Sequence, residues 1–297
     1  MNRWMRIPDY PVLNKEFRQR MRFSRTPWII FLYLGVAGAL IFAYMFLITL
    51  PDGFIHPEGT RILFIGLSVI QLVILAFVVP GLTAGTVSGE RERQTLSVLL
   101  TLPLSSSGII FSKWFASLAF VILLIIASLP LYTSVFLFGG ISPEEILYTF
   151  VHLLITVCFL GALGVFFSSL IRRTGMAIVT TYGTVAAILI GIPVALFFIV
   201  QFYDLLVGQP VFSQYPLIVQ LLSGLHPILT QLSVFQGEMM EMSQNWRIDI
   251  YWMYVAVYSV LTVILLVAAS YLLSPVRWKG WRFSFSKGSP KRDTKVS

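Results

Sequence analysis

The sequence predicts an all-α integral membrane protein whose chain crosses the bilayer six times. Hydrophobic residues make up 57% of the 297 positions and charged residues only 11%, whereas soluble globular domains carry about 25% charged residues. The mean hydropathy is +0.84. A helix needs about 20 apolar residues to cross a bilayer, and six runs reach that length: 28–50, 62–82, 114–138, 146–171, 176–202 and 250–273. They define a transmembrane domain, 28–273, between a basic segment, 1–27, and a basic tail, 274–297.

The segment 1–27 is predicted to form an amphipathic helix that lies in the headgroup region of the membrane. Its apolar and basic residues follow two helical stripes: Leu13, Phe17 and Met21 on one, and Lys15, Arg18, Arg22 and Arg25 on the other. Such a helix buries its apolar face and directs its cations toward anionic lipid or a partner. The alternative is a cluster of charges that only sets topology. No signal-peptide core with a cleavage site is present, so we expect the first span to direct insertion.

The distribution of basic residues predicts the topology of the chain. One side of the membrane receives 19 of the 21 Lys and Arg residues, and the other receives only Arg61 and Arg247. The counts are seven in 1–27, three in 83–113, two in 172–175 and seven in 274–297. Because basic loops stay inside, both termini are predicted to be cytoplasmic, in the cell membrane. The net charge of +8 therefore reflects topology and not nucleic-acid binding, for which no motif is present.

Prolines interrupt three predicted spans, at Pro80, Pro130 and Pro193. Each lacks a backbone donor and is expected to kink or end its helix. After the first of them, glycines recur at every fourth residue: Gly81, Gly85 and Gly89. Small residues at this spacing either allow another helix to approach closely or form a hinge at the end of the span.

The predicted outer loop, 203–249, is apolar but contains three prolines, at 210, 216 and 227. We expect one or two short helices that dip into the outer membrane surface or lie on it. The alternative is a packed cap with no role in transport.

Catalytic motifs are absent from the sequence. There is no phosphate-binding P-loop, no H-E-x-x-H and no nucleophile elbow. The single cysteine, Cys158, excludes an intramolecular disulfide. His56, His152 and His226 lie near the predicted outer side and are interpreted as loop or interfacial residues rather than metal ligands. We expect no metal site and no enzymatic activity.

The centres of the six predicted spans contain no Asp, Glu, Lys or Arg. Carriers coupled to protons or ions usually place ionisable residues there. If the protein moves a substrate, its energy is expected to come from a partner.

The polar segment between the second and third spans is the predicted receiving surface for that partner. It begins with residues of mixed charge and continues with leucines: Glu90, Arg91, Glu92, Arg93, Gln94, Thr95, Leu96, Leu99 and Leu100. A short helix at the membrane surface, with charges on one side and leucines on the other, is suited to docking a soluble protein. The alternative is an ordinary solvated helix face with weak pairs of opposite charge.

This segment resembles the permease subunits of ABC exporters, the type V exporters with six spans per subunit. The match is carried by Ser88–Leu96, by the run Leu99-Leu100-Thr101-Leu102-Pro103-Leu104-Ser105, and by Lys113. A second match is Pro11-Val12-Leu13-Asn14-Lys15-Glu16-Phe17-Arg18, similar to the start of many members. Two departures are Tyr10, where Asn is expected, and His226-Pro227, where Asn-Pro is frequent.

The resemblance implies that the segment between spans two and three is a coupling helix that fits a groove on a separate ATPase subunit. The N-terminal helix, with Lys15, Glu16, Arg18 and Arg22, is also expected to touch the ATPase. ATP and Mg would be bound by that partner, with no cofactor in this chain. The resemblance further implies pairing with a second permease subunit, identical or related, and export of a cargo along the interface.

Two other functions are alternatives to an exporter permease. A non-transporting sensor or scaffold would use the same segment to recruit a cytoplasmic partner, without movement of cargo. A membrane-embedded enzyme would need paired polar residues at membrane depth, and the sequence offers none.

Overall fold

The computed structural model describes residues 26–49, 57–96, 105–207, 217–235 and 249–274. Within these ranges the regular structure is helical and contains no strand. The helices are α1 (Thr26–Thr49), α2 (Pro57–Thr83), α3 (Ser88–Glu92), α4 (Ser106–Leu137), α5 (Pro143–Leu170), α6 (Thr174–Ala186), α7 (Ile192–Val207), α8 (Leu217–Leu225), α9 (Pro227–Ser233) and α10 (Ile250–Leu273); a π-helical turn, Ala187–Gly191, joins α6 to α7.

Five helical stretches in the described ranges are long and apolar enough to cross a bilayer. They are Pro57–Glu92, Ser106–Leu137, Pro143–Leu170, Thr174–Tyr203 and Ile250–Leu273. The apolar stretch in α1, Tyr33–Leu47, is shorter, so a sixth crossing stays a prediction. The N-terminal amphipathic helix, apart from its last residues, and the tail from residue 275 lie outside the described residues.

The helix starts follow from local capping. Ser142 Oγ accepts from the Glu145 nitrogen at 3.1 Å, and Glu145 Oε2 accepts from the Ser142 nitrogen at 2.8 Å, so α5 begins with a capping box. Ser105 Oγ accepts from the Gly108 nitrogen and starts α4 eight residues before the apolar run at 114. The helix therefore takes in Lys113, which hydropathy places in the loop.

The centre of the bundle is α5, which packs against α2, α4, α6 and α10. Its Leu153, Val157 and Leu160 join a buried apolar cluster with Tyr254 and Tyr258 of α10. Because α5 contacts four neighbouring helices, a shift in its position is expected to displace each of them.

The glycine stripe that follows Pro80 is a packing surface. A β-carbon on Gly81 would lie 2.9 Å from the Tyr182 hydroxyl of α6, and one on Gly85 would lie 3.3 Å from Thr174 Cγ2. The helix continues past Pro80 as far as Thr83. Of the two alternatives, the geometry favours close contact between helices over a hinge.

The short helices α8 and α9 form a hairpin that packs within the bundle. Its turn contacts His152, whose position nine residues into α5 corresponds to about 14 Å along the helix axis, at 1.5 Å per residue. Backbone carbonyls at that depth need internal donors. The spans supply them: Tyr258 Oη donates to the Leu225 carbonyl at 2.7 Å, His152 Nε2 to the Pro227 carbonyl at 3.0 Å, and Arg61 Nη2 to the Phe235 carbonyl at 2.7 Å.

The interpretation of His152 as a loop or interfacial residue is wrong, because it lies within α5 and its side chain is buried. His226 does lie in the turn between α8 and α9, and its side chain is buried as well. His226 Nδ1 accepts from the Leu229 nitrogen at 3.1 Å and caps α9, so its Nε2 carries the proton and donates to the Leu189 carbonyl at 3.1 Å. Leu189 lies in the π-helical turn, four residues before Pro193. Since Pro193 has no N–H to donate to that carbonyl, His226 supplies the missing donor. His56 lies outside the described residues.

Replacing His226 by alanine is expected to loosen the hairpin, because the Leu189 carbonyl loses its donor and α9 its cap. A buried acceptor without a partner costs about 1–3 kcal/mol. Hydrogen exchange of 217–235 in detergent would measure the change. The matched test is His226→Ala with Pro193→Ala, since alanine at 193 restores a backbone donor near Leu189. If the double variant exchanges as fast as the single one, Pro193 is not the reason why the Leu189 carbonyl needs His226 as a donor.

The same contacts predict how the hairpin responds to acid. Burial lowers the pKa of His226 below its usual value of about 6.5, against a smaller rise from the hydrogen bond to Leu189. A group whose pKa is lower in the folded state contributes stability that is complete above its unfolded pKa and is lost as the pH falls toward the folded value. We expect the protection of 217–235 to be constant above about pH 7 and to decline below about pH 6.

Candidate functional site

The predicted docking segment lies at the end of the bundle opposite the α8–α9 hairpin. Residues 84–96, here called the α3 segment, follow α2 through a turn at 84–87, form α3 and end in a second turn. The start of α4, the end of α5 and the start of α6 lie around it. Charged side chains of α3 thus reach three different spanning helices.

Ser168, near the end of α5, anchors the beginning of α3. Its Oγ accepts from the backbone nitrogens of Val87 at 2.9 Å and Ser88 at 3.0 Å. Val87, at the N-cap position, provides no side-chain cap. The first donors of a helix have no partner within it, so Ser168 performs from another helix the role that a capping residue has within the chain.

Glu90 forms an ion pair with Lys113 of α4, with 2.6 Å between Oε1 and Nζ. The Lys113 side chain is 2% exposed and that of Glu90 25%. A cation buried to this extent requires a partner, because burial removes its hydration. The second carboxylate oxygen, Glu90 Oε2, is buried and receives no hydrogen bond in the described part of the chain. The pair joins α3 to the start of α4.

Glu92 caps the start of α6. Its two carboxylate oxygens accept from the backbone nitrogen and the hydroxyl of Thr174, each at 2.8 Å. Arg173, at the N-cap position of α6, provides no side-chain cap. A carboxylate at a helix N-terminus also interacts favourably with the helix dipole. Glu92 therefore joins α3 to the span formed by α6 and α7.

Arg91 makes a third connection, from Nη2 to the Ser169 carbonyl of α5 at 3.3 Å. Three of the four charged residues predicted to face a partner thus bind their own chain. Arg93 is exposed, as are Gln94 and Thr95. Glu92 is exposed as well, although it binds Thr174, so the surface that the α3 segment offers to a partner consists mainly of residues 92–95.

The turn after α3 has the geometry of a Schellman motif. The Thr95 nitrogen donates to the Glu90 carbonyl at 3.0 Å and the Gln94 nitrogen to the Arg91 carbonyl at 3.1 Å. Gln94 adopts a φ of 58°, a conformation that costs a side-chain-bearing residue about 1 kcal/mol. The turn reverses the direction of the chain and places Leu96 against the bundle.

Leu96 packs inside the protein and not on its surface. It is 8% exposed and lies in an apolar cluster with Val87, Ile109 of α4, Val165 of α5 and Leu273 of α10. This cluster connects the α3 segment to a fourth spanning helix. Leu99 and Leu100 lie outside the described residues, as do Lys15, Glu16, Arg18 and Arg22, so their predicted roles stay predictions.

The contacts of the α3 segment include residues that the sequence alone does not select. Ser168 and Thr174 carry no signal, because serine and threonine are common in spans. Lys113 does carry a signal, because it directly precedes a membrane-length apolar run. If the helix begins before that run, the lysine is taken into the helix and needs an acidic partner. Among the described residues there is no group of three His, Cys, Asp or Glu side chains that could hold a metal ion.

Basic side chains surround the exposed part of the segment. Arg172 and Arg173, in the turn between α5 and α6, are exposed like Arg93. The turn carrying them precedes Thr174, which Glu92 binds. This end of the protein therefore offers a mainly cationic surface.

Comparison with known proteins identifies the family. The family model described as ABC-2 family transporter protein matches residues 10–284. A search of curated proteins finds no match. The match covers nearly the whole chain, confirms the resemblance to ABC permeases and agrees with the five helices able to cross a membrane. Proteins of this family are membrane transport components that generally work with an ATPase partner. The chain belongs to the ABC-2 family of transporter proteins.

Proposed function

We propose that this chain is the permease subunit of an ATP-driven ABC exporter, and that the α3 segment docks a separate ATPase and receives its movement. The observation that carries the proposal is the set of contacts made by α3. Glu90 binds α4, Arg91 and the start of α3 bind α5, and Glu92 binds α6. A displacement of this short helix is therefore passed directly to three spans.

The internal contacts assign different roles to the four charged residues. Glu90, Arg91 and Glu92 hold α3 against the bundle, so they transmit movement. Arg93, which is exposed, contacts the partner together with Gln94 and Thr95. With Arg172 and Arg173 nearby, the complementary surface of the ATPase is expected to be acidic.

Energy supplied by a partner explains why the centres of the predicted spans contain no Asp, Glu, Lys or Arg. No phosphate-binding loop is present in the sequence, so ATP and Mg belong to the ATPase subunit. A second permease, identical or related, would complete the path for the cargo. The span formed by α6 and α7 exposes apolar side chains such as Val179, Ile190 and Phe197, and this face suits either a second subunit or lipid.

Arg93→Glu is expected to weaken ATPase association at least tenfold, the factor that 1.4 kcal/mol of lost binding energy produces. The reversed charge would face an acidic surface, while α3 keeps its internal contacts. The measurement is co-purification of the tagged chain with a co-expressed ABC ATPase subunit that the wild type binds, together with the rate of ATP hydrolysis. Arg93→Lys is the matched control, because it retains the cation.

Two outcomes would contradict the proposal. If Arg93→Glu binds the ATPase and stimulates hydrolysis as the wild type does, the exposed part of the α3 segment is not the docking surface. If the wild type binds a cytoplasmic protein but moves no cargo when ATP is hydrolysed, the chain is a scaffold and not a permease.

A further inference from the structure

A cavity of about 290 Å³ lies between α1, α2 and α4. It is close in size to the smallest pockets that hold small molecules, about 300 Å³. Its walls are aliphatic except on one side, where Tyr33, Gln71, Ser128 and Tyr132 lie. None of these residues belongs to the α3 segment.

The cavity lies at the depth of the membrane interior. Gln71 is 14 residues beyond Pro57, the first residue of α2, which corresponds to about 21 Å along a helix. The hydrocarbon core is about 30 Å thick, so the medium around this part of α2 is acyl chain and not water. Three aliphatic residues at the rim, Val36, Leu40 and Ile70, are about half exposed. The cavity therefore opens sideways, toward the lipid.

The polar side chains of the wall form hydrogen bonds with one another and with the backbone. Gln71 Nε2 donates to Ser128 Oγ at 3.0 Å, Tyr132 Oη donates to Gln71 Oε1, and Ser128 Oγ donates to the Ile125 carbonyl at 2.7 Å. Gln71, Ser128 and Tyr132 are all buried. An ionised or strongly polar ligand would lose its hydration there without gaining partners. The cavity is suited to a hydrocarbon.

We propose that this cavity binds one acyl chain, which enters from the side between α1 and α2. An apolar cavity left empty forfeits the dispersion contacts of its lining. Acyl chains are the molecules that surround its rim at this depth. The hydrogen-bonded wall holds α2 to α4 behind the chain, so the cavity keeps its shape while the chain exchanges. Such binding would occur whether or not an ATPase docks at the α3 segment.

The test is photo-crosslinking in vesicles that contain a phosphatidylcholine with a diazirine at the middle of one acyl chain. Labelled peptides are identified by mass spectrometry. We expect the peptides that contain Val36 and Ile70 to be labelled more strongly than those that contain Leu154 and Val263, which are also exposed on spans. Equal labelling at all four positions, or none at Val36 and Ile70, would overturn the proposal, and the wild type alone decides this.

A matched pair of substitutions in α1 tests the cavity itself. Ala37 lines it, whereas Ala43 is exposed on the same helix and does not. Ala37→Phe fills the space and is expected to lower the labelling of Ile70 about tenfold, equivalent to 1.4 kcal/mol of binding energy. Ala43→Phe is expected to leave it unchanged. Similar labelling in both variants would show that the chain does not occupy the cavity.

Competition identifies the source of the chain. Unlabelled fatty acid that displaces the label at equal mole fraction indicates a free, single-chain molecule as the natural ligand. Displacement only by diacyl phospholipid indicates a resident membrane lipid. Both results support an acyl-chain site, and displacement by neither overturns it. ATPase association, measured on the same variants, is expected to stay at the wild-type level, so failure of the acyl-chain site and failure of the proposed function are distinguishable.

Discussion

Replacing Glu90 by alanine is expected to lower the free energy of unfolding by about 3 kcal/mol, because the substitution removes the carboxylate that neutralises Lys113. The Lys113 side chain is 2% exposed, and breaking a buried pair by deleting one partner costs about 3–5 kcal/mol. We take the lower figure because Glu90 is partly exposed. The thermal unfolding midpoint in detergent, compared with that of the wild type, measures the loss.

The double variant Glu90→Gln with Lys113→Met separates the cost of deleting one ion from the role of the pair. It removes both ions and keeps similar side-chain volumes, so most of the stability is expected to return. Contacting residues show interaction energies of about 0.5–3 kcal/mol in such a cycle. Purely additive effects of the two substitutions would mean that the ion pair contributes nothing to the attachment of α3.

The same double variant addresses transport. Under the proposed function it folds and binds the ATPase through the exposed Arg93, but it transmits movement to α4 less well. We expect normal co-purification with reduced coupling of hydrolysis to cargo movement. Glu90→Ala alone would not give this information, because a loss of activity would follow from the loss of stability.

Gly164→Ala is expected to destabilise the protein by about 2 kcal/mol, within the range for overpacking of a close contact. A β-carbon at this position of α5 would overlap Thr83 Oγ1 and lie 3.1 Å from the backbone nitrogen of Ala84. The backbone cannot give way without moving the end of α2 away from α5. The α3 segment follows this point directly, so we also expect weaker stimulation of the ATPase.

Gly183→Ala is the control for this prediction. Gly183 lies in α6, and a β-carbon there would meet no atom within 4 Å. Alanine favours a helix over glycine by about 1 kcal/mol, so this variant is expected to be as stable as the wild type or more so. If both variants unfold at the same temperature, α2 and α5 do not depend on the close approach at Gly164.

The positions of most helices were predictable from the sequence because they depend on local properties. The apolar run at 250–273 coincides with α10, and Asp249 caps its start. Where a helix begins with polar residues, hydropathy places the boundary too late, as at α4. Its start is set by the Ser105 cap, and Lys113 is tolerated inside the helix because Glu90, remote in sequence, neutralises it.

The charges of the α3 segment show what the sequence could not reveal. Composition indicates that 90–95 is polar and compatible with a helix, but not that the helix ends at Glu92 or which of its sides meets the bundle. That depends on Ser168 and Thr174, which are distant in the chain and ordinary in type. The histidines are a second example, since His226 acquires its role only because Pro193 leaves the Leu189 carbonyl without a donor.

The sequence by itself determined that this is an all-helical membrane protein of the ABC permease type, with a charged segment between its second and third apolar runs. Hydropathy, charge asymmetry and a local motif suffice for that, because each is a property of neighbouring residues. Only the tertiary structure decided that Glu90, Arg91 and Glu92 bind the spans, that Leu96 is buried, and that an acyl-sized cavity opens beside α1. Those features depend on which side chains meet across the bundle, and the pairing of distant residues is set by packing.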